Sequence, residues 1–157
     1  MDLYHLPDDK AFLISVKGLI FNSQGQLLVL KANNNHLNRN EKLKWDLPGG
    51  LVDFSEDLSE GLIREIKEEC GLNVEVKELV SAFYGQPEYF IFKNGKRKSA
   101  RIICLGFICI PETTGIRLGD EHDLYKWVDL KSIKSLEICV SSRGLIDSME
   151  NSFNFKG

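Results

Sequence analysis

The chain has 157 residues, with 20 Lys and Arg against 23 Asp and Glu, for a formal net charge of −3. That length suits one domain, residues 1–157, able to bury a core without disulfide or metal staples. A hydrophobic share of 43% with 27% charged residues excludes disorder as the main state. The near-neutral balance excludes a broad basic coat for nucleic acid. It leaves a nucleotide substrate open, because a bound cation can handle phosphate charge locally.

The first ten residues, Met1 to Lys10, are acidic and lack an apolar h-region, so no signal peptide is expected. Phe12–Phe21 is rich in aromatic and β-branched residues, Asn22-Ser23-Gln24-Gly25 supplies turn chemistry, and Gln26–Lys31 is apolar again. This pattern predicts a β-hairpin. Asn33–Lys44 is polar and reads as an exposed loop, and Trp45 to Gly50 is turn-rich with an aromatic anchor.

Asp57–Cys70 is predicted as a helix. Asp57 and Glu60 make a capping box, Leu58, Leu62, Ile63, Ile66 and Cys70 share one face, and Gly71 follows as a left-handed cap. Asn73–Tyr84 alternates as a strand. Tyr89–Lys93 and Lys98–Ile110 flank Asn94-Gly95, a hairpin signal. Leu124–Val128 is a short strand and Cys139–Met149 a closing helix. Strands, helix, strands and helix in this order predict a mixed-sheet α/β or α+β domain.

The cysteines Cys70, Cys104, Cys109 and Cys139 form no Cys-x-x-Cys pair and sit in apolar stretches, which points to buried thiols and a reducing, cytoplasmic setting. Ile102–Ile110 is the longest apolar run, too short for the ~20 residues a membrane helix needs.

On the predicted helix Glu65, Glu68 and Glu69 stand at i, i+3 and i+4, so their charges crowd one side. A hard divalent cation turns that repulsion into ligation. Arg64 is placed to hold Glu68 across one turn. Gly61, costly inside a helix, leaves room for close approach on the same side.

The full pattern is Gly50, five residues, Glu56, seven residues, Arg64-Glu65-Ile66, one residue, Glu68-Glu69, one residue, Gly71-Leu72. It resembles the Nudix box of the nucleoside-diphosphate-linked-moiety hydrolases at every defined position, with Trp45 to Gly49 similar to the usual lead-in. The resemblance implies a Nudix fold, a mixed β-sheet sandwiched between helices, and hydrolysis of a pyrophosphate bond with Mg²⁺ or Mn²⁺. It implies Glu65, Glu68 and Glu69 as metal ligands, the Gly49 carbonyl as a further oxygen, and Gly50 and Glu56 as loop support. Asp53, Ser55 and Gly61 depart from the commonest residues there, all outside the defined positions.

The implied catalytic set is Glu65, Arg64 and Glu121. Many members of this family carry an extra acidic residue before a late strand, and Glu121 in Gly119-Asp120-Glu121-His122-Asp123 is similar to it. The alternative is an acidic turn that solvates the strand start. His122 is read as a turn histidine with its hydrogen bonds satisfied, the alternatives being a proton carrier or a substrate contact. Phe83, Tyr84, Tyr89 and Arg101 are the substrate-binding candidates, with aromatics available to stack a base. Pro87 and Tyr89 satisfy two family rules at once, one for ADP-ribose and one for dinucleoside polyphosphates, and so choose neither. Lys93, Lys96, Arg97, Lys98 and Arg101 make a basic hairpin, read as a solvated tip.

The expected partner is a small-molecule nucleotide, with no membrane and a homodimer left open. Two rival readings are an RNA 5′-end pyrophosphohydrolase using the basic hairpin, and a non-catalytic nucleotide-sensing module on the same fold.

Overall fold

A computed structural model of the protein describes residues 9–33, 44–91 and 94–154, and for residues 89–91, 153 and 154 the backbone alone. The ends of the polar loop, Asn33 and Lys44, are described, but its interior, 34–43, lies outside the described residues, as do the N-terminal segment 1–8 and Lys93.

Among the described residues ten elements follow in chain order: β1 (Lys10–Ile20), β2 (Leu27–Ala32), β3 (Trp45–Asp46), α1 (Leu58–Cys70), β4 (Val74–Tyr84), β5 (Glu88–Ile91), β6 (Arg97–Pro111), β7 (His122–Val128), α2 (Leu130–Ile133) and α3 (Val140–Asn154). One sheet runs β1-β6-β4, with β5 also on β6. The other runs β3-β2-β7. In the first, β1 lies parallel to β6 from Lys10 against Ser99 to Ile20 against Cys109, while β4 and β5 are antiparallel to β6. The sheet is therefore mixed, as expected.

The expected β1–β2 hairpin is corrected. The turn is real: Asn22 Oδ1 accepts from the N–H groups of Gln24 and Gln26, and Gly25 has φ of 74°. Yet only Phe21 and Leu27 bridge across it, and the two strands then enter different sheets. Val16–Ile20 and Leu27–Leu30 are buried at every residue. Turn residues fix a chain reversal. They do not fix pairing when both strands have apolar cover on each face and other partners to meet.

β1 and β2 alternate between two cores. Val16, Ile20, Leu28 and Leu30 pack under α1 with Leu62 and Ile66. Leu19, Leu27 and Val29 pack on the other side with Ile133, Leu145 and Ile146 of α2 and α3. The sheets thus lie between helices. Each such side chain contributes roughly 1.5–3 kcal/mol on full burial.

Helix α1 starts and stops where its residues dictate. Asp57 Oδ1 accepts from Glu60 N–H at 2.8 Å and Glu60 Oε2 from Asp57 N–H at 3.0 Å. Gly71, at φ 70°, closes the helix by donating to the Lys67 carbonyl. The four-residue α2 had no periodicity to announce it. All four cysteines are buried, and none is in a disulfide. Among the described residues no helix is long and apolar enough to cross a membrane.

Candidate active site

The loop from Leu47 to Asp57 is laced to the edge of β1. Val16 N–H donates to the Gly50 carbonyl at 2.9 Å, Gly18 N–H to Pro48 at 2.8 Å, and Val52 N–H to Ile14 at 3.0 Å. Glycine is required at one position of this loop and makes room at a second. Gly49 has φ of 128°, and a Cβ there would stand 2.1 Å from the Val16 carbonyl oxygen. At Gly50 a Cβ would meet the Glu65 carboxyl carbon at 2.6 Å, so that carboxyl rests on bare backbone.

Glu69 turns inward, its side chain 13% exposed, and its Oε2 accepts from Gly49 N–H at 2.8 Å. Burial pushes its carboxyl up to about 8, against the pull of Lys17 and the Gly49 N–H. Glu65 Oε1 accepts from Arg64 Nη1 at 2.7 Å. Glu68 is the open member, its side chain 62% exposed.

Arg64 reaches Glu68 across one turn as expected, but through a single long contact and not the expected bidentate bond. Its bidentate partner is Glu56, through Nε to Oε1 at 2.5 Å and Nη2 to Oε2 at 2.9 Å, while Glu68 lies at 3.4 Å. The loop brings Glu56 back over the helix start, where it also accepts from Asp53 N–H. The Arg64 hydrogen bonds, then that from Asp53, hold the Glu56 carboxyl down at about 2.

The residue that sequence reasoning missed is Lys17. It stands in the apolar β1 and is 8% exposed. Its ammonium donates to Asp46 Oδ2 at 2.8 Å, the Leu47 carbonyl at 3.1 Å and the Gly49 carbonyl at 2.8 Å. All three of its donors are used. Burial alone would pull its pKa down, but Asp46 and Glu69 reverse that and keep it charged. Asp46 also accepts from the Ser142 hydroxyl at the start of α3. The signal was present as a lone cation inside an otherwise buried run. The Gly49 carbonyl, an expected metal ligand, is thus already bonded to Lys17, with one lone pair left.

Gly119 carries the second acidic loop to α1. Its N–H donates to the Glu69 carbonyl at 3.0 Å, and a Cβ on it would stand 2.2 Å from the Glu68 carbonyl oxygen. Asp120 and Glu121 thereby join Glu65, Glu68 and Glu69 around a cleft of about 500 Å³. A second cavity of about 550 Å³ adjoins it and shares Gly50, Leu51, Glu69 and Glu121. Phe83, Ile102, Cys104 and Val140 give it apolar walls, and Ser15, Lys17, His122 and Ser141 add polar groups.

The substrate candidates divide. Phe83 lines this pocket. Tyr84 and Arg101, next to Phe83 and Ile102 in their strands, fall on the opposite sheet face, where the guanidinium sits 4.8 Å from the Tyr84 ring centroid. The Tyr89 side chain lies outside the described residues. Lys96 and Arg97 are exposed on the hairpin.

Among the described residues no three His, Cys, Asp or Glu side chains already form a metal cage. Like charges repel, and Glu65 and Glu69 each lean on a donor of their own. The donors facing the cleft are all oxygens, which fits a hard cation such as Mg²⁺ or Mn²⁺.

The chain matches the family described as NUDIX domain over residues 11–148. It is similar to a MutT-like protein of Streptomyces ambofaciens, 28% identical over 137 residues, covering 87% of this chain and 77% of that one. It is also similar to the nucleoside triphosphatase NudI of Klebsiella pneumoniae, 27% identical over 64% of this chain and 72% of that one. Among solved structures, the MutT protein of Methanosarcina mazei Go1 superposes with a TM-score of 0.71 at 28% identity, covering 94% and 97% of the two chains. The chain belongs to the Nudix family, and it is a Nudix hydrolase, an enzyme class acting on nucleoside diphosphate derivatives.

Proposed function

We propose that this enzyme is a divalent-cation-dependent pyrophosphohydrolase. It cleaves a phosphoanhydride of a small nucleoside di- or triphosphate derivative and releases a nucleoside monophosphate. The observation that carries this reading is the junction of an acidic cleft with a partly apolar pocket, Glu69 and Glu121 belonging to both. Phosphates and nucleoside need such different surroundings side by side. Similarity to a nucleoside triphosphatase makes nucleoside triphosphates the first compounds to test.

Glu65, Glu68 and Glu69 would hold Mg²⁺ or Mn²⁺, with the remaining lone pair of the Gly49 carbonyl beside them. When bound, the cation neutralises phosphate charge and acidifies water there. Arg64 and Glu56 lock the loop and orient Glu65. Lys17 holds the Gly49 turn and, through charge, Glu69. Glu121 takes the proton of the attacking water, for which its place at the junction suits it. Phe83 offers its ring to the base, and Ile102 and Val140 exclude water around it. The buried cysteines, none of them in a disulfide, support a cytoplasmic setting for one domain of this kind.

The test is a panel of nucleoside triphosphates, nucleotide sugars, ADP-ribose and dinucleoside polyphosphates, assayed with Mg²⁺ and with EDTA. At least one compound is expected to yield nucleoside monophosphate with Mg²⁺ only. No turnover of any of them contradicts the reading.

A further inference from the structure

Helix α3 begins against the active-site loop, and the residues at its start divide their duties. Cys139, Val140 and Ser141 line the nucleoside pocket. Ser142, the next residue, is fully buried, and its hydroxyl is spent on the loop instead. It donates to Asp46 Oδ1, and its oxygen lies 3.2 Å from the Leu47 N–H. Backbone bonds fix the two segments side by side: Trp45 N–H donates to the Glu137 carbonyl at 2.7 Å, and Cys139 N–H to the Trp45 carbonyl at 2.8 Å.

Asp46 is the middle of a chain of contacts. Its Oδ1 takes the Ser142 hydroxyl and, at 2.8 Å, the Leu47 N–H. That leaves Oδ2 turned to the Lys17 ammonium at 2.8 Å. The Asp46 side chain is 30% exposed, so water reaches one edge of it while Ser142 holds it from the dry side. An ammonium carries three N–H groups at fixed angles to one another. The one on Asp46 therefore aims the others, including the one 2.8 Å from the Gly49 carbonyl. If Asp46 turns, the ammonium turns with it, and so does the direction of that carbonyl's remaining lone pair. Groups that orient a metal ligand in this way affect metal affinity without touching the ion.

We propose that Ser142 is a positioning residue for the metal site: through Asp46 and Lys17 its hydroxyl fixes the direction of the Gly49 carbonyl, although Ser142 stands on the helix whose start walls the nucleoside pocket. This rests on the cation-dependent reading above and adds to it a residue far along the chain from the acidic helix. Ser142 touches neither the nucleotide nor the cation.

The test measures Mn²⁺ binding by electron paramagnetic resonance without nucleotide. It then measures KM, at saturating Mg²⁺, for the nucleotide that the enzyme turns over best. All measurements are made below the lowest melting temperature of the set. Ser142→Ala is expected to raise the Mn²⁺ dissociation constant about tenfold, the low end of what losing a partner of a metal ligand costs, and to leave KM where it is. Val140→Ala, two residues earlier on the pocket wall, should do the reverse, raising KM and leaving Mn²⁺ affinity alone. Ser142→Gly lacks the hydroxyl equally but weakens the helix further. It should shift Mn²⁺ binding as much as Ser142→Ala does, despite a lower melting temperature. Three results would each overturn the assignment and leave the hydrolase reading intact: Mn²⁺ binding by Ser142→Ala equal to the wild type, a KM that rises together with the Mn²⁺ constant in that variant, or a Mn²⁺ shift that grows with the loss of melting temperature. A wild-type enzyme that binds no Mn²⁺ and turns over no nucleotide overturns both.

Discussion

Two charged networks flank the same loop and differ in almost every physical respect. Arg64 with Glu56 and Glu65 lies at the rim, with Arg64 about a third exposed. Lys17 with Asp46 and Glu69 lies inside, under the Gly49 turn. The rim network is built from residues close in sequence around one helix, and water screens it. The inner network joins β1, the loop and α1 across long stretches of chain, and water hardly reaches Lys17 and Glu69, while Asp46 keeps one edge open. Charge at the rim tunes geometry. Charge inside, once one partner is removed, leaves the others buried and unpaired.

The largest effect should come from breaking the inner network. Lys17→Met strands Asp46 and the Gly49 carbonyl, and a broken buried pair costs about 3–5 kcal/mol. Urea denaturation should show a loss of that size, and a variant as stable as the wild type would erase the contrast between the regions. Glu69→Gln should act differently on fold and function. Hydrolysis is expected to fall by several orders of magnitude while the melting temperature holds at neutral pH, because the amide has the shape of the protonated carboxyl and its oxygen can still accept from Gly49 N–H.

pH sharpens the comparison, with opposite signs on the two sides. Glu69 sits at about 8, above its usual 4.5, so between those values the folded protein carries the extra proton. Its contribution to stability is full below about 4.5 and is lost as pH rises through about 8. Glu56 sits at about 2, below 4.5. Its contribution is present above about 4.5 and is lost as pH falls through about 2. Denaturation in EDTA across this range should lose its alkaline slope in Glu69→Gln and part of its acid slope in Glu56→Gln. Unchanged slopes in both would mean that neither carboxyl is perturbed as described. The smallest effect belongs to the helix start: Asp57→Ala removes the capping oxygen and should cost about 1 kcal/mol by the same denaturation measurement.

Legibility in the sequence follows the same divide. The cap at Asp57, the Gly71 stop and the strung-out acidic residues were readable because each depends on neighbours a few residues away. The parallel pairing of β1 with β6 was not, because nothing local to either strand names the other. Lys17 stood in plain view, but its meaning depended on Asp46 and two carbonyls arriving from the following loop. Phe83 and Tyr84 both stand among the substrate candidates, although the strand's period of two puts them on opposite faces. Arg64 was assigned to Glu68 by helix spacing, which cannot see a loop folding back to bring Glu56 closer.

The account stands on carboxylates of α1 gripping a divalent ion beside a nucleotide pocket. The most direct measurement is Mn²⁺ titration followed by electron paramagnetic resonance, on the wild-type enzyme and on folded Glu65→Gln and Glu69→Gln variants. Saturable Mn²⁺ binding by the wild type, weakened at least tenfold in either variant, is the predicted result, one ligand lost being worth about 1.4 kcal/mol or more. Equal binding by all three proteins, or none by the wild type, would contradict it.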